Sequence, residues 1–455
     1  MEGQIVFANS LDLTPEKSEH EVINYNGFII IANHRPNAKT VLVESYINNG
    51  NVDEEKHNMG ISHLLEHVCT DGWEKCKKNC SELWKKKGAV MNASTGQTYV
   101  NYYIHALNQY AYDLIDYVVS ISTTPVVTKL TTNKEKAAVI NELLIHSQNA
   151  QLAAYQKLNH NLFNVEGLQL QDDIYLQIKN LKKIDHKMLQ KWVDKYYGAG
   201  NTIFCITGDL SEKKSNPNRK SKILKHIEHK LTKFKKSKRR PFYSNIFTPG
   251  VKVKYVKNTK IDNTTIYFTF HSPLVYKDVE VHYIEFFKLF INSSMTSILM
   301  YELRENYKLI YNIQLDNYTT QYGTYITIEI STKNKNITEV VKRTLGVLNK
   351  IVNGDFPNEH LSYVKKSYLV NSENTNKNNA WVSTWYAEQY IHQLHNINNP
   401  TVISNKNLIK KIKKMNKSDF ISFAKKLIIF SNFKLIYNGK KEIPNLSKKV
   451  LEWID

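Results

Sequence analysis

The chain reads as an α+β protein made of two tandem copies of one domain, each a mainly antiparallel sheet packed against helices, and three observations carry that reading. In each half, strand-like runs gather at the two ends while helix-like runs fill the middle. Each half closes on a strand that runs into glycine, at residues 201–208 and again at 432–439. The charge also breaks between the halves. Residues 1–210 hold 20 Lys and Arg against 23 Asp and Glu, a net of −3, whereas residues 211–455 hold 42 against 19, a net of +23. A chain of 455 residues is long enough for two domains or more. The expected division is a first domain over 1–210, a basic linker over 211–241 and a second domain over 242–455.

Taken in order, the first half opens with strands near 22–32 and 39–48, where Phe28 to Ile31 and Val41 to Val43 make apolar runs. Helices follow near 58–70, 108–121, 132–165 and 184–196. Within the third, Ala137, Val139, Ile140, Leu143 and Leu144 form a broad apolar side. The second half repeats the plan, with strands near 251–257 and 263–271 and helices near 278–306, 337–352, 357–393 and 405–427.

One pentapeptide on the first of these helices carries chemistry. His63-Leu64-Leu65-Glu66-His67 sets two imidazoles four residues apart, so both can point a nitrogen at one metal ion from the same helix face. Glu66 lies beside that face, where a carboxylate serves as a general base toward a water without being a ligand. The order H-x-x-E-H is the inverse of H-E-x-x-H and is the inverzincin signature. A chain of this composition would show it by chance about 0.03 times. A catalytic zinc site needs a third protein ligand and an open position. The 132–165 helix offers Glu135 and Glu142, two turns apart on one face. Glu142 is the expected third ligand, and Glu135 is expected to orient a histidine or the water from behind.

With those residues in place the chain resembles the pitrilysin, insulinase and mitochondrial processing peptidase family, in its short two-domain form. Beyond the histidine motif, the resemblance rests on the glycines Gly50 and Gly60 before it and on Gly88-Ala89-Val90-Met91-Asn92-Ala93-Ser94-Thr95 after it. It also rests on Glu142, 75 residues beyond His67, and on Leu303-Arg304-Glu305 followed by Leu309-Ile310-Tyr311. It runs from about residue 20 to the C-terminus. The resemblance implies that the two domains form half of a clam-shell, with zinc ligands in the first copy alone. It implies a zinc-dependent endopeptidase or oligopeptidase, with one Zn2+ per chain held by His63, His67 and Glu142 and with Glu66 as base. Tyr311 would stabilise the oxyanion, Arg304 would hold a substrate carbonyl, and Asn92, Ala93 and Ser94 would pair with an extended substrate along a sheet edge. Short members work as pairs of chains, so a homodimer or a heterodimer with a related chain is expected, Arg304 and Tyr311 serving the partner's zinc site.

Composition bounds the alternatives. No run of 18 apolar residues exists, so no membrane-spanning helix is expected. Residues 1–10 lack the features of a signal or transit peptide, and four unevenly spaced cysteines make no disulfide framework, so the expected location is cytoplasmic. Cys69, Cys76 and Cys80 do not have C-x-x-C spacing and, with the distant Cys205, read as buried or free thiols. Residues 213–240 concentrate Lys and Arg, which invites a nucleic-acid reading, but a solvated linker accounts for the run as well and no nucleic-acid motif accompanies it. The competing function classes are a non-catalytic scaffold subunit of the same fold and a nucleic-acid-associated protein.

Overall fold

The apolar runs that open and close each half become the strands of two separate sheets. The computed structural model describes residues 4–5, 20–72, 76, 80–210, 221–234, 239–259, 263–292, 297–375 and 378–454. The first sheet has seven strands: β1 (Gln4–Ile5), β2 (Glu21–Tyr25), β3 (Phe28–His34), β4 (Thr40–Ile47), β5 (Val90–Thr95), β6 (Val100–Leu107) and β7 (Thr202–Gly208). Their order is β1-β2-β3-β7-β4-β6-β5, with β3 and β7 parallel and every other neighbouring pair antiparallel. The expected single strand at 22–32 is a hairpin. Asn26 and Gly27 between β2 and β3 both take positive φ (49° and 87°), the conformation whose twist suits a two-residue turn.

Both faces of this sheet are covered, which is why β7 is buried at every residue. On one face lies the Ala111–Thr123 helix, with Leu114, Ile115 and Val118 fully buried. Ser45 of β4 points toward it and shares a 2.6 Å hydrogen bond with Ser122. The other face meets the Asn379–Ile391 helix, whose Tyr386, Ala387, Tyr390 and Ile391 pack on Ile29, Ile31, Tyr46 and Ile203. Burial of each large apolar side chain there contributes about 1.5–3 kcal/mol.

The second sheet has five strands, β8 (Lys252–Lys257), β9 (Asn263–Ser272), β10 (Ile310–Thr319), β11 (Thr324–Lys333) and β12 (Phe433–Gly439), in the order β10-β11-β9-β12-β8. Again a single parallel pair, β8 with β12, sits among antiparallel neighbours. One face of β9 and β12 is covered by the Leu152–Leu162 helix, through Ala154 and Leu158 against Tyr267 and Ile436. The duplication expected from the sequence is thus present, the order β8-β12-β9-β11-β10 repeating β3-β7-β4-β6-β5 strand for strand.

The domain boundaries differ from those expected. One compact unit comprises Met1–Ile145, Asp173–Phe242 and Thr375–Val402; the other comprises His146–Asp172, Tyr243–Asn374 and Ile403–Asp455. Each unit takes a helix from the opposite half of the sequence. The helix expected at 132–165 divides into Lys129–His146 and Leu152–Leu162, and the one expected at 357–393 divides into Asn358–Thr375 and Asn379–Ile391. In both cases the break lets the second piece cover the other sheet. The expected helix at 278–306 includes Ile284–Asn292 and a wide π-type turn at Tyr301–Asn306.

The segment expected to be a basic linker contains a helix. Residues 211–220 and 235–238, including Lys213, Lys214, Arg219, Lys220, Lys235, Lys236 and Lys238, lie outside the described residues. Between them Lys222–Leu231 is a helix of the first unit that buries Leu224, Ile227 and Leu231, and its Lys230 sits 3.0 Å from Asp116. Arg240 is wholly buried: Nη1 donates to Asp53 Oδ2 at 3.1 Å and to the Thr98 carbonyl at 2.7 Å. Removing one member of such a buried pair costs about 3–5 kcal/mol. The cysteines need a correction too. Cys76 and Cys80 are joined by a disulfide, their Cα atoms 5.7 Å apart, while Cys69 and Cys205 are buried thiols that desolvation pushes up to about 12.

Candidate metal centre and active site

The Ile61–Asp71 helix is built to hold its histidines away from the core. Ile61, Leu64, Leu65, Val68 and Cys69 fill the buried stripe, at 2% exposure or less, so His63 and His67 fall on the opposite side with roughly a quarter of each side chain exposed. Gly60 enters the helix with φ of 93°, a conformation open to glycine. Glu54 fixes that entry. Its buried carboxylate accepts from the backbone N–H groups of Gly60 (2.8 Å) and Ser62 (2.9 Å), and burial pushes its pKa up to about 7 despite those bonds.

The Lys129–His146 helix brings the carboxylates. Glu142 Oε2 lies 3.7 Å from His63 Nε2 and 3.5 Å from His67 Nε2. One ligand atom from each of His63, His67 and Glu142 falls within 4.8 Å of the others, the one such trio of His, Cys, Asp or Glu among the described residues. Two imidazoles and a carboxylate at this spacing fit a zinc ion with a position left open. Two turns back, Glu135 Oε2 is 3.5 Å from His67 Nδ1, so both nitrogens of His67 face carboxylates. That is the outer contact that fixes a ligating imidazole's orientation. Burial by itself lowers the His67 pKa, but Glu135, Glu66 and Glu142 outweigh it and the net shift is upward. Glu135 is held low, first by His67 and against burial, with Lys134 at 3.1 Å adding to the effect.

Glu66 is 8% exposed and stands outside the trio. Burial raises its pKa, Glu142 adds to that, and the Thr95 hydroxyl and His67 oppose it. The Thr95 Oγ1 donates to Glu66 Oε2 at 2.6 Å. Thr95 ends β5, which is the edge strand of its sheet and alternates exposed with half-buried residues from Val90 to Thr95. Asn92, Ala93 and Ser94 therefore lie on a strand that pairs on one side alone among the described residues.

Arg304 and Tyr311 belong to the other unit. Arg304, in the π-type turn, donates from Nη1 to the Tyr311 carbonyl at 3.2 Å, and Tyr311, on the edge strand β10, is 65% exposed. The structure thus brings that pair together, and separately brings together His63, Glu66, His67, Glu135 and Glu142. Sequence reasoning missed Glu54 and Thr95. Glu54 carries no local signal, since it acts on a helix start six to eight residues ahead, and Thr95, although it ends the Gly88–Thr95 run, shows nothing in sequence of its contact with Glu66 across the sheet edge.

The chain is similar to known proteins over most of its length. The sequence pattern described as insulinase (peptidase family M16) matches residues 29–171, and that described as the peptidase M16 inactive domain matches residues 183–368. A protein of Rickettsia felis named an uncharacterized zinc protease is 21% identical over 328 residues, covering 70% of this chain and 76% of its own length. The mitochondrial-processing peptidase subunit beta of Caenorhabditis elegans is 24% identical over 187 residues, 41% of this chain and 40% of that protein. Among solved structures, a protease from Helicobacter pylori superposes with a TM-score of 0.75 at 14% identity, over 92% of this chain and 99% of the other.

Proposed function

The chain belongs to the peptidase M16 (insulinase) family, and from that premise we propose that it is a zinc metallopeptidase acting on peptides or unstructured protein segments. The observation that carries the proposal is the convergence of His63, His67 and Glu142 within 4.8 Å, with Glu66 buried beside them. The relatives named zinc proteases support the choice of metal. His63, His67 and Glu142 hold one zinc ion, which when bound makes water nucleophilic near neutral pH.

The chain's own groups do the rest. Glu66 takes the proton as water attacks the scissile carbonyl, with one of its oxygens fixed by Thr95 and the other left for the water. Glu135 keeps His67 oriented through Nδ1. An extended substrate adds to the free side of β5 along Asn92, Ala93 and Ser94, where main-chain pairing makes few demands on sequence. Tyr311 donates to the developing oxyanion and Arg304 holds a substrate carbonyl, and they do so at the site of a partner chain, a second copy or a related one.

Metal analysis tests the centre. Purified protein should carry close to one zinc per chain and cleave a mixed peptide library, whereas His63→Ala and Glu142→Ala should each hold well under half of that zinc and cleave nothing. Undiminished zinc in both variants would overturn the assignment.

A further inference from the structure

Arg304 reaches Tyr311 from an uncommon piece of backbone. The turn Tyr301–Asn306 is wound wide, with the Tyr307 N–H reaching back five residues to the Glu302 carbonyl at 3.3 Å. Just beyond it Lys308 takes φ of 54°, a left-handed conformation that a β-carbon disfavours. The Lys308 N–H meets the Arg304 carbonyl at 3.2 Å, and the Leu309 N–H meets the Leu303 carbonyl at 2.8 Å. Wide turns of this kind are rare and recur at functional sites, and neither they nor a left-handed lysine are preferred locally. Both need support from the structure around them.

That support converges on one side chain. Arg343 lies on the Ile337–Asn353 helix, which is anchored by Val340, Val341, Thr344 and Leu345, all fully buried. Its Nη1 donates to Glu302 Oε1 at 2.8 Å, two residues before Arg304. The face of the same guanidinium covers the Tyr307 ring, three residues after Arg304, with its central carbon 3.1 Å from the ring centroid. Glu339, one helical turn earlier, stands 2.6 Å from Arg343 Nε and fixes the guanidinium in that pose. The other Glu302 oxygen accepts from Asn306 Nδ2 at 3.3 Å, tying the end of the wide turn to its start. One planar cation thus grips both sides of the segment that carries Arg304. Pairing along its edge while stacking on its face takes a guanidinium, since an ammonium offers a point charge alone.

We propose that Arg343 is a positioning residue, which holds the Tyr301–Asn306 turn so that the Arg304 guanidinium stands at the β10 edge where a substrate carbonyl is taken. The inference rests on the peptidase reading for what Arg304 binds. Within the turn, Leu303 is wholly buried and Arg304 is 40% exposed, so the backbone is pinned on the core side and Arg343 sets the pose on the other. Arg304 Nη1, at 3.2 Å from the Tyr311 carbonyl, carries that pose to the tip of the side chain.

The test is steady-state kinetics on a quenched fluorescent peptide chosen from those the protein cleaves in a mixed library. Arg343→Gln should raise KM about tenfold and leave kcat within about twofold, as Arg304→Gln does, because both lose a contact that binds substrate. Glu302→Gln should move KM the same way, and Arg343→Lys, which keeps the charge without the plane, should fall between Arg343→Gln and wild type. Added to Arg304→Gln, the Arg343→Gln change should cost less than about twofold more, since the residue it positions is already gone. Lower kcat at unchanged KM, as loss of folded protein would give, or losses that simply add, would overturn the proposal. Hydrogen exchange of the intact protein separates the clamp from the choice of function. The amides of Tyr307, Lys308 and Leu309 should exchange about tenfold faster in Arg343→Gln while those of β11 keep their rates. Unchanged exchange at those three amides would overturn the proposal whatever the activity. Wild type that cleaves no peptide would overturn the peptidase reading and the substrate role with it, while exchange still decides whether Arg343 holds the turn.

Discussion

The two sheets share a strand order but spend the same connection differently. In the first unit the segment between β4 and β5 holds the Ile61–Asp71 helix, which buries leucines beneath and turns His63 and His67 outward. In the second, the segment between β9 and β10 holds the Ile284–Asn292 helix, which sends Phe286, Phe287 and Phe290 into a cluster with Phe356 and Phe420. Phe290 alone has ring centroids of Phe420 at 4.4 Å and of Phe356 at 5.1 Å. The sheet order therefore survives with or without chemistry in that slot. What a fold supplies is a rigid place, and a handful of side chains decide its use.

Substitutions in the two slots should therefore fail in different ways. The largest effect is expected at Glu66, where Gln should cost about 10²–10⁴ in turnover. Bound zinc should stay near one per chain, since Glu66 lies outside the trio. Full activity in Glu66→Gln would show that another group serves as base. In the aromatic slot, Phe290→Ala should lower folding stability by about 3–5 kcal/mol, read by denaturant unfolding. The folded fraction of that variant should keep its zinc, whereas metal-free His63→Ala should melt within a few degrees of metal-free wild type. Matching stability losses in the two variants would erase the distinction.

A subtler contrast lies in pH. Glu44 of β4 is buried under the Asn379–Ile391 helix, and that burial, with Glu388 adding and Ser383 and Tyr46 opposing, pushes its carboxyl up to about 7. The folded state then binds the proton more tightly than the unfolded chain. The corresponding stability is fully present below about pH 4.5 and is lost as pH rises through about 7, on the order of a few kcal/mol. Subtracting the stability curve of Glu44→Gln from that of wild type isolates this contribution from the buried histidines, which act in the opposite sense. A flat difference between pH 4.5 and 8 would mean that Glu44 is not desolvated as described.

The smallest predicted signal concerns cooperation between unlike units. Glu66→Gln and Tyr311→Phe proteins should each be nearly inactive alone. After subunit exchange in equal amounts, half of the pairs are mixed and each has one intact site of two. Recovery should approach roughly a quarter of wild type if sites act independently. No recovery despite proven exchange would place Tyr311 outside the partner's chemistry.

Much of this was legible in the chain. The spacing of His63 and His67 declared the chemical face of their helix, and the two-turn spacing of Glu135 and Glu142 placed them on one side. Runs such as Thr202 to Gly208 declared central strands because burial on both faces leaves no polar alternation. Other features were hidden for physical reasons. Asn378 caps a new helix after residues 358–375, but a cap in an Asn-rich stretch does not say which sheet the next helix will cover. The β10–β11 hairpin was not singled out, and its strands are only partly apolar. Glu54 and Arg240 look like solvated charges in sequence, and only the folded neighbourhood shows them buried with partners.

The borrowed helix has a consequence in time. A ribosome completes β7 long before it reaches Asn379, and at about 5–20 residues per second the interval is on the order of ten to thirty seconds. Throughout it, the sheet face formed by Ile29, Ile31, Tyr46 and Ile203 lacks the cover that Tyr386 and Tyr390 will give it. His63, His67 and Glu142 have all been synthesised by then, while that apolar face still waits for its cover.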